Sequence, residues 1–172
     1  MENHPSAKLK NIIEMAYWSS AMGRIFEKGA AEKIRKEFEK FLPFLELEDL
    51  KVPHRDFCLW LMDNVKTARG KQPTFGQAAK VLDFMLKVLV SYCHYPSGEQ
   101  AEKIAPKLNG VIDNLVLGDL KKKGIFSLAQ VDEKIYWELQ EELRQKAAKK
   151  RMTSIEHDDP YWRELARKEQ WL

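Results

Sequence analysis

The chain has 172 residues, 44% of them hydrophobic and 32% charged, with 29 basic against 26 acidic residues and a formal charge of +3. That is enough for one domain with a sizeable core, too apolar for disorder, and too evenly charged for a dedicated nucleic-acid binder. Eight glycines and seven prolines leave little material for the many tight turns of an all-β fold.

Ser6 is placed to cap a first helix over about residues 7–28, in which Ile12, Ile13, Tyr17, Ala21, Ile25 and Phe26 recur at helical spacing and Gly29 ends the run. A second helix, AAEKIRKEFEKFL, sets Ile34, Phe38, Phe41 and Leu42 on one face and stops at Pro43. The connector FLELEDLKV follows. Pro53 suits the first turn of a third helix that turns Phe57, Trp60, Leu61 and Val65 inward.

After the loop ARGKQPTFG, Thr74 caps the most apolar helix, which runs to about Tyr92 before the turn HYPSG. A short helix near 98–105 meets Pro106. NGVIDNLVLGDLKKKG then reads as a compact buried segment, helical or extended. Ser127 and Gln130 form an S-x-x-Q capping box at the head of a long helix striped with Val131, Ile135, Leu139 and Leu143. Asp158 or Asp159 with Pro160 starts a last short helix, within residues 152–172. The expectation is an all-α, single-domain bundle of six to eight helices over residues 1–172, arranged around the helix at about 74–92.

Cys58 and Cys93 are isolated and make no disulfide framework. The N-terminal stretch has no basic start followed by an apolar run, and no segment reaches the roughly 18 apolar residues of a membrane span. These absences point to a reduced, cytoplasmic protein with no membrane association.

The central helix poses the main question. Gln77, Lys80, Asp83, Lys87 and Ser91 advance by three or four residues and share a face, while the rest of the circumference is apolar. Lys80–Asp83 and Asp83–Lys87 are spaced to pair with each other. The first reading is a polar line facing solvent through a gap between neighbouring helices. The competing reading is a cleft, where a desolvated lysine has chemical use.

The segment FGQAAKVLDFMLKVLVSYC followed by VIDNLVL resembles a set of uncharacterised bacterial all-helical proteins, best over residues 75–117. In that set a G-x-A-Q-K start leads into an apolar helix with a second lysine, and an aspartate segment follows. Lys80 and Lys87 match the two lysines and Asp113 the aspartate. The chain departs from the pattern at Ala79, usually glutamine, and at Asp83, usually asparagine.

The same order of lysine, apolar helix and aspartate is similar, at a distance, to the helix-hairpin-helix DNA glycosylases. That resemblance implies a nucleophilic lysine, with Lys80, Lys87 and Asp113 as catalytic residues. The Gly-rich hairpin that grips DNA in those enzymes is missing here. RMTSIEH, from Arg151 to His157, matches the R-x(4–6)-H spacing of HEPN-type ribonucleases, a spacing short enough to arise by chance.

His54 with Cys58, and Cys93 with His94, offer ligand types for zinc but at no standard spacing, so neither a metal nor a cofactor is expected. Trp137, Trp162 and Trp171, near Tyr136, Tyr161 and Arg163, are either bundle core or a basic aromatic surface. The expected function is therefore a protein-interaction or binding module acting through its helix surfaces, with a protein partner or self-association. Gln77, Asp83, Trp162 and Arg163 are its candidate binding residues. The alternative is a nucleic-acid-processing enzyme. A solvated, shallow polar line favours the module, and a buried, concave one favours the enzyme.

Overall fold

The computed structural model describes residues 6–20, 22–120 and 124–168, with the side chains of Asp119, Tyr161, Trp162, Leu165, Ala166 and Lys168 outside that description. Ala21 and Trp171 also lie outside the described residues. The fold is an all-α bundle, and the described residues contain no strand, only an isolated bridge between Phe26 and Thr67.

Helix α1 spans Ala7–Ser19, with the Ser6 hydroxyl accepting from the Leu9 N–H as expected of a cap. It ends well short of residue 28. The Ser20 hydroxyl donates to the Tyr17 carbonyl at 2.6 Å and accepts from the Met22 N–H, which draws the chain into a 3₁₀ turn at Met22–Arg24. Such local side-chain bonds compete with helix continuation. Gly29, at φ +89°, precedes α2 (Ala30–Phe41), whose Ile34, Phe38 and Phe41 are buried. A 3₁₀ turn at Leu42–Glu46 leads into α3 (Lys51–Asn64), which buries His54, Phe57, Cys58 and Leu61.

Helix α4 (Phe75–Leu86) begins with a full capping box: Thr74 accepts from the Gln77 N–H, and the Gln77 side chain accepts from the Thr74 N–H at 3.0 Å. Its last turns widen into a π-helical stretch, Lys87–Tyr92, closed by Cys93 N–H donating to the Val88 carbonyl. Such π turns recur at functional sites because they redirect side chains. Helix α4 packs against α1, α3 and α7, and nearly all of its surface is buried.

Helix α5 (Gly98–Ile104) follows, capped by Ser97. Gly110 is then tied to α7 by Gln140, which accepts from its N–H and donates to its carbonyl. From that anchor Val111 and Ile112 enter the core, and Asp113 opens α6 (Asn114–Leu120). The Ser127–Gln130 capping box is present but caps only a 3₁₀ turn, Leu128–Gln130. The long helix α7 (Glu133–Lys149) starts later, capped by Asp132, because extended backbone at Val131 separates the two. A 3₁₀ turn at Ser154–Glu156 delivers the chain to α8 (Asp159–Lys168). No helix among the described residues is long and apolar enough to cross a membrane.

Candidate functional site

The polar residues of α4 divide between two neighbourhoods. Asp83 turns towards α3 and α7, where His54 and Tyr136 meet it; all three residues are at most 2% exposed. His54 Nε2–H donates to Asp83 Oδ1 at 2.8 Å, and Tyr136 Oη donates to Asp83 Oδ2 at 2.7 Å. The other ring nitrogen, Nδ1, faces Cys58 Sγ at 3.8 Å. The Tyr136 phenol is pushed well above its ordinary range by burial, then by the charge of Asp83.

The order Cys58–His54–Asp83 resembles a nucleophile with its base and orienter. Burial drives the Cys58 thiol well above the ordinary thiol range, and the charge of Asp83 adds to it. The residue is 0% exposed, so the arrangement holds the core together rather than offering a reactive sulfur.

Lys80 and Lys87 turn the other way, towards a cavity of about 280 Å³. Its walls include Ser19 and Ser20 from the end of α1, Phe84, Tyr92, and the carboxylates of Asp113 and Asp158. Lys87 is 1% exposed, pairs with Asp158, and lies 2.6 Å from Asp159 Oδ1. Tyr92 Oη donates to that same Asp159 oxygen at 3.0 Å. Burial alone would lower the Lys87 pKa, but the two carboxylates outweigh it and hold the ammonium above its ordinary value.

Lys80 has the opposite balance. It is half-buried, and desolvation lowers its pKa, with the charge of Asp113 pulling only part of the way back. Asp113 is 5% exposed and caps α6, its Oδ1 accepting from the Leu115 and Val116 N–H groups, both at 2.9 Å.

The expectation of a solvated polar line with mutually paired charges is therefore corrected. Asp83 and Lys87 are each 1% exposed, and both carboxylate oxygens of Asp83 go to His54 and Tyr136 rather than to a lysine. The line is spread widely enough around the helix for its members to face different neighbours. Lys80, Lys87 and Asp113, singled out from the sequence, come together on one cavity. Gln77 is a helix cap, Arg163 is exposed on α8, and the Trp162 side chain lies outside the described residues.

Arg151 is exposed whereas His157 is fully buried, so they present no joint surface. Among the described residues no three His, Cys, Asp or Glu side chains are grouped to hold a metal ion. From the sequence, Asp158 and Asp159 read only as a helix start, and Tyr136 as either core or part of a basic aromatic surface; it is core. Their partners on α4 lie 71 and 53 residues away, for Asp158 and Tyr136 respectively, beyond any local spacing. No family model, curated protein or solved structure matches the chain.

Proposed function

We propose that this chain binds a small molecule with an aldehyde-level carbon in the Lys80 cavity and engages it through the Lys80 amine. The observation that carries this reading is that Lys80, the lysine whose pKa burial leaves lowered, and Asp113 line the same cavity. A lysine becomes a nucleophile only when unprotonated, and partial desolvation raises that fraction. The buried, concave setting also favours a reacting site over a shallow binding face.

In this reading the Lys80 nitrogen adds to the carbonyl carbon and the oxygen becomes a hydroxyl. Asp113 takes up the ammonium proton and returns it as that hydroxyl leaves as water, so a protonated imine remains. Lys87 is not the nucleophile, because Asp158 and Asp159 hold it as a cation. Its place is to keep the α8 end of the cavity closed. The neighbourhood contains two ammonium groups and three carboxylates, a balance that suits a neutral or cationic ligand better than a polyanion.

Reductive trapping tests the proposal, with glycolaldehyde and an abasic-site oligonucleotide as separate probes, each followed by borohydride and peptide mapping. The expected result is an adduct on Lys80 that Lys80→Ala abolishes and Asp113→Asn slows; Asn keeps the α6 cap. Trapping by the oligonucleotide alone would assign the site to nucleic acid. If Lys80 is labelled no faster than exposed lysines with either probe, the reading fails.

A further inference from the structure

A second feature lies apart from the Lys80 cavity and does not depend on it. Phe44 (44%), Leu47 (46%) and Val52 (64%) are exposed large hydrophobic residues, and all three line one groove of about 660 Å³. The groove runs between α2, the 3₁₀ turn after it, and α3. Phe41, Phe57 and Trp60 form its floor and wall. The aromatic rings continue into the core, with Phe41 edge-on to Phe44 at 6.0 Å and to Phe57 at 6.1 Å. A contiguous apolar surface with a polar rim marks an interaction site, unlike single hydrophobic residues scattered over a surface.

The rim identifies the chemistry of the partner. It contains Glu37, Asp49 and Asp56 against one cation, Lys40, and Lys40 is already paired with Glu37 at 2.8 Å. Asp49 and Asp56 thus leave a negative edge on an aromatic groove. The described residues contain no strand, so there is no sheet edge for a partner strand to extend. An apolar groove between two helices is the shape that the helix-in-groove mode uses, with the partner's side chains inserted between them.

We propose that the α2–α3 groove docks a basic amphipathic helix of a partner protein. Its apolar anchors would lie on Phe41, Phe44, Val52 and Trp60, and its Lys or Arg side chains would face Asp49 and Asp56. Charge complementarity of this kind sets orientation and speeds association, while the aromatic floor supplies affinity.

The test uses the full chain and a fluorescein-labelled, fourteen-residue helical peptide of Leu, Phe and Lys, read by fluorescence polarisation. A matched peptide with Glu in place of Lys is the charge control. The proposal expects saturable binding of the basic peptide and at least about tenfold weaker binding of the acidic one. Val52→Arg and the double change Asp49→Asn, Asp56→Asn should each weaken the basic peptide about tenfold or more. These positions are exposed, so circular dichroism should show the fold unchanged.

Equal affinity for both peptides, or undiminished binding by Val52→Arg, would overturn the proposal. So would micromolar self-association by sedimentation that Val52→Arg abolishes, since a second copy would then be the occupant.

Discussion

Lys87 and Asp158 are 71 residues apart in sequence and meet as an ion pair with only 2% and 3% of their side chains exposed. The pair joins the π-helical end of α4 to the start of α8, and both residues line the Lys80 cavity. Removing one partner of such a pair leaves an uncompensated buried charge, which costs about 3–5 kcal/mol. Lys87→Met should destabilise the protein by that amount in urea unfolding. Adding Asp158→Leu should recover a large part of the loss, because the orphaned charge goes too. A double variant as unstable as the single one would mean that the pair is not a coupled unit.

The pH dependence of the pair has a definite sign. The folded-state pKa of Lys87 is raised by its two carboxylates after burial has pulled it down. Its stabilisation is therefore fully present below the unfolded lysine value of about 10.4 and is lost as pH rises through the folded value. The raised phenol of Tyr136 acts in the same direction, so only a comparison isolates Lys87. The stability gap between wild type and Lys87→Met should narrow once the pH passes well above about 10.4. A gap that holds constant throughout strongly alkaline solution would contradict the assignment.

Tyr136 and Asp83 make a separate test. The phenol is one of two donors to a carboxylate that is 1% exposed, and Tyr136→Phe leaves Oδ2 without that donor. A buried acceptor stripped of its partner costs about 1–3 kcal/mol. Thermal and urea unfolding should both register it. In the wild type, the phenolate absorbance of Tyr136 should appear only with unfolding, and a reversible native titration of that residue would refute the closed network.

Gly110 carries the chain from the end of α5 towards Asp113, held against α7 by Gln140. A Cβ there would lie 2.5 Å from the Ser154 carbonyl oxygen and 2.6 Å from Leu143 Cδ2, with backbone on one side that cannot yield. Gly110→Ala should cost about 1–3 kcal/mol as overpacking. At Gly98 a Cβ meets nothing within 4 Å, so Gly98→Ala serves as the neutral control. Equal melting temperatures for the two variants would rule out the close approach.

Much of the architecture was legible locally. The stripe of Ile34, Phe38 and Phe41 and the caps at Ser6 and Thr74 depend on residues three or four apart, and each behaves as its spacing implies. Lys80, Lys87 and Asp113 were also identifiable, grouped through a resemblance rather than through any local spacing, and they line one cavity. Spacing alone pairs Lys80 and Lys87 with Asp83, their neighbour on the helix. In the fold, Asp83 instead meets His54 and Tyr136 across 29 and 53 residues, and Lys87 meets Asp158 across 71. Partners at those separations leave no periodic trace. Nor does a pattern of apolar residues distinguish an α turn from the π turn at Lys87–Tyr92.

The most direct test of the Lys80–Asp113 account is the titration of Lys80 by NMR, on protein with isotope-labelled lysine, in wild type and in Asp113→Asn. The account predicts a Lys80 midpoint below the ordinary lysine value of about 10.4 in the wild type. In Asp113→Asn it should fall further, since the carboxylate is what pulls it back up. A Lys80 that titrates with the exposed lysines, and does not respond to Asp113→Asn, would contradict the claim that this cavity activates an amine.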